Sequence, residues 1–185
     1  MEPEEVAAAF DHLEQAGKVR HFGVSNQNPM MMELLKTAVK QPLKVNQLQL
    51  SAAFTPSFEA GFHVNMEGTK AAVRDGSVFE YCRLTDTVIQ AWSVLQHGFF
   101  KGNFVGKEEF AALNHVLNDL AKKYQVTPTA IALAWVLRYP GKMQAVIGTT
   151  KPQHVLEAGK AATVTLTRKE WYQIYLAAGN VFALE

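Results

Sequence analysis

The sequence predicts an α/β fold of parallel strands joined by crossover helices. Three observations predict it. Short apolar-leaning runs, too brief for helices, recur four times: Val19 to Asn26, Leu43 to Leu50, Asp86 to Ser93 and Met143 to Gly148. Each is followed by a stretch with apolar residues at helical spacing. Proline stands near the start of several of those stretches, where its missing N–H costs nothing. Strand followed by helix, four times over, gives a parallel sheet whose faces must be covered.

Taken in order, "PEEVAAAFDHLEQAG" opens with Pro3 and acids and closes on Gly17, the expected helix asymmetry. Val6, Phe10 and Leu13 recur at helical spacing. "VRHFGVSN" is the first strand with its loop, and "NPMMMELLKTAVK" a helix with Pro29 in its first turn. The Met30-Met31-Met32 run reads as helix packing. "LKVNQLQL" is the second strand, followed by a Gly-, Phe- and Ser-rich loop from Ser51 to Gly68. "SVFEYCRLT" suggests a short helix, and "DTVIQAWS" the third strand. After the loop "VLQHGFFKGNFVG" comes a strongly amphipathic helix, "KEEFAALNHVLNDLAKKY". "VTPTAIALAWVLRY" is a further helix, with Thr127 as cap and Pro128 as its first residue. "MQAVIG" is the fourth strand, and "KPQHVLEAGKA" and "TRKEWYQIYLAAG" close the chain as helices. No low-complexity tract or Pro/Gly linker divides it, so residues 1–185 are read as a single domain.

Composition narrows the function classes. A hydrophobic share of 48% over 185 residues suits one globular domain with a sizeable core. A net charge of +1 implies no general affinity for polyanions, so nucleic acid is not an expected partner. The single cysteine, Cys82, forms no internal disulfide, which points to a reducing compartment. No apolar stretch approaches the roughly 18 residues of a membrane span, and the acidic, polar N-terminus is not a signal peptide. The expectation is a cytoplasmic, soluble protein without a membrane partner.

In α/β folds the chemistry sits in loops at the C-terminal ends of the strands. Those ends carry Ser25-Asn26, Gln47, Trp92-Ser93 and Gly148-Thr149-Thr150. The set is rich in amides and hydroxyls and includes one large aromatic. It suits a carboxamide, a flat ring and phosphates, as in a nicotinamide dinucleotide. No Gly-rich strand-to-helix turn supports a Rossmann or P-loop reading. Each residue also has a plainer role. Ser25-Asn26 suits a turn and helix cap, Gln47 a locally bonded strand-end amide, Trp92 the core and Lys151 a solvated position near a helix start. Anions also favour such a start. His12, His21, His63, His97 and His115 show no metal-ligand spacing, and Cys82 reads as a small buried residue.

"GKVRHFGVSN", "VNQLQL", "IQAWSVL" and "AVIGTTKPQHVLEA" occur in the order and context of the aldo-keto reductase family, and the chain most resembles its bacterial YdhF-like oxidoreductases. The resemblance implies a TIM barrel that binds NADP(H) in extended form without a Rossmann motif and reduces aldehydes and ketones. It assigns Ser25, Asn26 and Gln47 to the nicotinamide carboxamide and Trp92 to the nicotinamide ring. Ser93, Val94 and Leu95 fall along the pyrophosphate. Thr149, Thr150 and Lys151 fall near the adenosine 2′-phosphate. His154 stands where many members have arginine, and Glu157 faces the adenine.

The resemblance also implies a limit. It begins at the helix before the family's fifth barrel strand, so the chain reads as the C-terminal half of a (β/α)8 TIM barrel, truncated before the segments that carry the catalytic Asp, Tyr, Lys and His. Tyr81, His97 and Lys101 match no catalytic motif, and no catalytic residue is assigned. The expected function is the cofactor-binding half of an NADP(H)-dependent oxidoreductase acting on a small carbonyl compound, inactive on its own. A non-catalytic pseudoenzyme or interaction module that keeps the cradle is the rival reading. A homodimer of two half-barrels is a third geometry. Unpaired strand edges and an open sheet face predict association, and Val19, Val45, Leu48 and Val88 are candidate apolar residues for that face or for the helix-facing one, divided between the two by alternation along each strand.

Overall fold

The structure is a computed structural model, and it describes residues 2–57, 59, 77–98 and 101–180. Helix α1 runs over Pro3–Gln15 with Glu4 and Glu5 in its first turn, and Gly17 leaves it at a left-handed φ of 67°. Strand β1 covers Phe22–Ser25. Helix α2, Pro29–Lys36, is capped by Asn28, whose side chain accepts the Met31 N–H at 2.9 Å. Strand β2 is Leu43–Gln49, helix α3 Val78–Leu84 and strand β3 Val88–Trp92. A 3-10 turn at Glu108–Phe110 leads into α4, Ala111–Tyr124. Helix α5, Pro128–Leu137, is capped by Thr127, which accepts the Ala130 N–H as its sequence announces. Strand β4 is Met143–Ala145, followed by α6, Pro152–Gly159, and α7, Arg168–Ala177.

The four strands form one sheet in the order β1-β2-β3-β4, and every pairing is parallel. Sequence-adjacent strands therefore lie side by side, and the helices make the crossovers. Side chains alternate between the two faces. One face carries Asn46, Leu48, Ile89 and Ala91, all buried. Against it packs α5, in which every residue from Ala130 to Val136 is buried. Such a helix is apolar all round because it has no solvent face to supply. Trp135 stacks on Trp171 of α7 with ring centroids 4.8 Å apart, tying the two helices together. A second cluster, Met32, Leu35, Val39 and Leu43, joins α1 and α2 to the β1–β2 side, where Phe10 stacks on Phe22 at 4.4 Å.

The other face carries Val45, Gln47, Val88, Gln90 and Gln144 and lines an open depression. The structure divides the four candidate apolar residues between the faces, with Val19 outside the strands. Leu48 is on the helix side, Val45 and Val88 are half-buried on the open side, and a row of amides lies beside them.

Several elements differ from expectation. Strand β1 begins at Phe22 rather than Val19, because its partner strand begins at Leu43, opposite Phe22. Strand β4 stops at Ala145, paired opposite Ile89 to Ala91, although Val146 still donates to the Ala91 carbonyl at 2.8 Å. Of the three consecutive methionines only Met32 is buried; Met30 and Met31 are exposed. Most of the expected Ser51–Gly68 loop lies outside the described residues, as does His63.

Candidate functional site

The C-terminal ends of the strands shape the site. Strand β1 ends at Ser25, and Asn26 then turns the chain at φ 53°. Strand β3 ends at Trp92, and Ser93 makes the same left-handed turn at φ 51°. Left-handed backbone is uncommon outside glycine and costs energy, so two such turns, at the ends of the strands on either side of β2, are held by their surroundings. At Asn26 the hold is visible. Its N–H donates to the Gln47 carbonyl at 2.9 Å, and the Ser25 hydroxyl donates to the same oxygen at 3.1 Å.

The cap of α2 removes one of the roles open to Ser25 and Asn26. Neither caps α2, because Asn28 does. The Ser25 hydroxyl proton is spent on the Gln47 carbonyl, which leaves Ser25 an acceptor toward anything outside. Behind them, Asn46 is fully buried and braces the same loop. Its Nδ2 donates to the Gln27 carbonyl at 2.8 Å, and its Oδ1 accepts the Gln27 N–H at 3.5 Å. Asn46 sits inside the quoted "VNQLQL", yet its bracing role depends on a loop nineteen residues away and is invisible in the sequence.

The Gln47 side chain points along the open sheet face. Its Nε2 donates to Gln90 Oε1 at 3.3 Å, and Gln90 Nε2 donates to Gln144 Oε1 at 2.9 Å. Ser25, Gln47, Gln90 and Gln144 are direct register partners across the four strands. With His21 and Lys44 they line a depression of about 820 Å³. Gln90 and Gln144 were not among the sequence candidates. The signal available was a lone polar residue within each of two short apolar strands, "VIQAW" and "MQA".

A second cavity, a cleft of about 510 Å³, lies between the loop after β3 and the start of α6. That is within the usual range for small-molecule pockets. Trp92, Ser93, Val94 and Leu95 form one side. Gly148, Thr149, His154 and Glu157 line it from the other segment. Thr149 Oγ1 accepts the Lys151 N–H at 3.2 Å and lies 3.3 Å from His154 Nδ1. Glu157 accepts from Gln153 at 2.9 Å, one turn back on the same helix. Gln96 also lines the cleft, and its Oε1 is buried without a partner among the described residues. A buried unpartnered acceptor is costly and marks a place where a ligand or water donor belongs.

The twelve sequence candidates therefore separate. Trp92, Ser93, Val94, Leu95, Thr149, His154 and Glu157 share the cleft. Ser25 and Gln47 share the depression with the amide row. Asn26, Thr150 and Lys151 line neither; all three are exposed, Lys151 as the residue that precedes α6. Trp92 links the two regions, since it stands two residues beyond Gln90 on the same face and opposite Gln49 in register.

Outside these cavities, several described titratable groups are held in structural contacts. Burial pushes the Cys82 thiol up to about 11, against weaker lowering by a bond with Asn46 and by the Lys36 charge, and the side chain is buried as expected. His97 pairs with Glu109 and packs on Phe110, and the Tyr81 hydroxyl is bonded to Glu33 and Lys36. Among the described residues no group of three or more His, Cys, Asp or Glu side chains could hold a metal ion, and no helix is long and apolar enough to cross a membrane.

Comparison with known proteins is consistent across sequence and structure. The model of the Aldo/keto reductase family matches residues 1–177. The chain is 33% identical over 185 residues to a 6-dehydroglucose reductase of Agrobacterium fabrum, covering 99% of this chain and 55% of that protein. It is 32% identical over 179 residues to the oxidoreductase YdhF of Escherichia coli, covering 96% and 53%. Among solved structures, an aldo-keto reductase from Klebsiella pneumoniae in complex with NADPH superposes with a TM-score of 0.69 at 22% identity, over 94% of this chain and 53% of that one. The thermostable aldo-keto reductase Tm1743 gives 0.69 at 20% identity, over 96% and 55%. These structural likenesses show the fold. The chain spans about half the length of the curated relatives it matches.

Proposed function

The chain belongs to the aldo/keto reductase family, and from that premise we propose that it is the cofactor-holding half of an NADP(H)-dependent reductase of aldehydes or ketones. Its four parallel strands are read as the C-terminal half of a (β/α)8 barrel, forming one domain. The observation that carries the reading is the cleft. It gathers seven candidates from two segments more than fifty residues apart, 92–95 and 149–157.

The residues present fit an extended dinucleotide. Ser25, Asn26 and Gln47 would take the nicotinamide carboxamide, with Ser25 as acceptor only. The half-buried Trp92 would lie against the ring. Ser93, Val94 and Leu95 would follow the pyrophosphate. Thr149, Thr150, Lys151 and His154 would meet the adenosine 2′-phosphate, with Glu157 toward the adenine. Lys151 is exposed at the start of α6, where N–H groups and the helix dipole favour an anion. A neutral imidazole at His154 is a weaker phosphate partner than an arginine fork, so the preference for NADP(H) over NAD(H) is modest. The cofactor, when bound, supplies a hydride.

The alkoxide formed on a carbonyl must also be protonated or stabilised. Among the described residues the cleft has no tyrosine or lysine in its lining, and Tyr81, His97 and Lys101 lie outside it. His21 and Lys44 line the depression beside Gln47 but match no catalytic motif of the family, so on this reading the purified chain is a cofactor cradle that lacks the family's proton donor. This observation equally favours the second reading, a non-catalytic binding module.

The experiment is a titration of the purified chain with NADPH and NADH followed by tryptophan fluorescence, with a parallel aldehyde panel. The expected result is NADPH binding tighter than NADH, selective loss in Lys151→Ala, and no carbonyl turnover. Equal affinities reject the phosphate assignment. Turnover that persists after removal of contaminating reductases rejects the missing-donor reading.

A further inference from the structure

The amide row on the open sheet face has a direction. Gln47 Nε2 donates to Gln90 Oε1 at 3.3 Å, and Gln90 Nε2 donates to Gln144 Oε1 at 2.9 Å. The three are direct register partners on neighbouring strands, so the spacing comes from the sheet itself. Val45 and Val88 lie two residues earlier on the same strands and face, and Gln49 and Trp92 two residues later. The row is thus held between an apolar level below and the candidate ring site above.

The direction matters because a primary amide offers unlike groups on its two sides. Turning the Gln47 amide by 180° would set its Oε1 against Gln90 Oε1, two acceptors facing each other. Gln90 would have to turn as well, and then Gln144. The row therefore turns together or not at all, and bonds in such a chain polarise one another. As it stands, Gln47 has committed one N–H to Gln90. One N–H and the carbonyl oxygen remain for a ligand.

We propose that Gln90 and Gln144 are positioning residues for Gln47: through this relay they fix which side of the Gln47 amide is turned toward a ligand carboxamide. The proposal rests on the reading that Gln47 meets the nicotinamide carboxamide, and it adds two residues that touch no cofactor themselves. A row that merely braced the sheet would affect every ligand alike. A positioning row affects only the ligand that Gln47 reads.

The test has two arms, both on the full chain. In the first, side-chain amide signals of the 15N-labelled protein are followed by NMR. Gln144→Met, at the far end of the row, should shift the Gln47 amide signals although it does not touch Gln47. Unmoved Gln47 signals overturn the relay whatever the cofactor does. In the second, NADPH and adenosine 2′,5′-bisphosphate, which lacks nicotinamide, are titrated into wild type, Gln90→Met, Gln47→Met and the double variant. Gln90→Met should weaken NADPH about fivefold, the size of one net hydrogen bond. It should leave the bisphosphate unchanged and add nothing in the Gln47→Met background. Equal loss for both ligands, or an additive double variant, overturns the proposal. Wild type binding NADPH no tighter than the bisphosphate overturns the reading of Gln47, and this proposal with it.

Discussion

At the scale of single residues, the opening of the site is set by close contact rather than by charge. Gly23 precedes the Ser25-Asn26 pair on β1, and a Cβ placed there would stand 2.6 Å from the Val45 carbonyl oxygen and 2.7 Å from the Val45 Cβ. The pairing of β1 with β2 is irregular between Phe22 and Gly23, so this is where the strand is drawn in. An alanine at 23 has to push the backbones apart. Gly23→Ala should cost about 1–3 kcal/mol, the range for overpacking a fitted site, read as a lower urea midpoint. An unchanged midpoint would show that β1 moves freely and does not fix Ser25. The same scale shows what a sequence holds and what it withholds. Asn28 follows Ser25 and Asn26 closely, and all three are good caps by residue type. Which one caps α2 depends on where the helix starts. The relay of Gln47, Gln90 and Gln144 depends on register, and one residue of slip would put each amide on the other face.

At the scale of elements, α4 and α7 are locked by one carboxylate. Glu170 completes a capping box with Thr167, accepts from Lys123 at 2.5 Å and from the Tyr124 hydroxyl at 2.8 Å, and is buried. Burial raises its pKa, but the bonds from Lys123, Thr167 and Tyr124 outweigh it and hold the carboxyl down at about 2, from an ordinary 4.5. A carboxyl with a depressed folded pKa stabilises above its unfolded pKa, and that contribution fades as pH falls toward the folded value. Stability should therefore drop between about pH 4.5 and 2. Glu170→Gln should be less stable at pH 7, with a shallower loss in acid. Parallel thermal melts at pH 7 and pH 3 check this; equal slopes for both proteins would remove Glu170 from the account. The helix itself was legible, because the Thr-x-x-Glu spacing announces the box. Its tie to α4 was not, since Lys123 and Tyr124 lie more than forty residues away. Strand extents were legible only as upper bounds. A parallel strand starts where its neighbour offers partners, which shortened β1.

At the scale of the whole molecule, the sheet has four strands among the described residues, with β1 and β4 at its edges. A parallel sheet is normally covered on both faces, yet here helices pack on one face while the Gln47–Gln90–Gln144 face lines an open depression. Unpaired edge strands are templates for further pairing. Apolar side chains accompany the β4 side: Val146 and Ile147 just beyond the strand and Val155 and Leu156 on α6 are all exposed, Leu156 at 67%. The polar row argues against collapse of the open face onto any apolar surface, so the edge beside β4 is the stronger driver of association. The purified chain should sediment as a concentration-dependent mixture at micromolar loading. Leu156→Lys should shift the association constant down by at least about tenfold, since burying a leucine side chain is worth about 1.5–3 kcal/mol and 1.4 kcal/mol is a factor of ten. It should leave the melting temperature of the dilute protein almost unchanged. A wild-type chain that sediments as a compact monomer with a sharp, concentration-independent melt would mean that four strands are sufficient without a partner, and the inference from unpaired edges would fall.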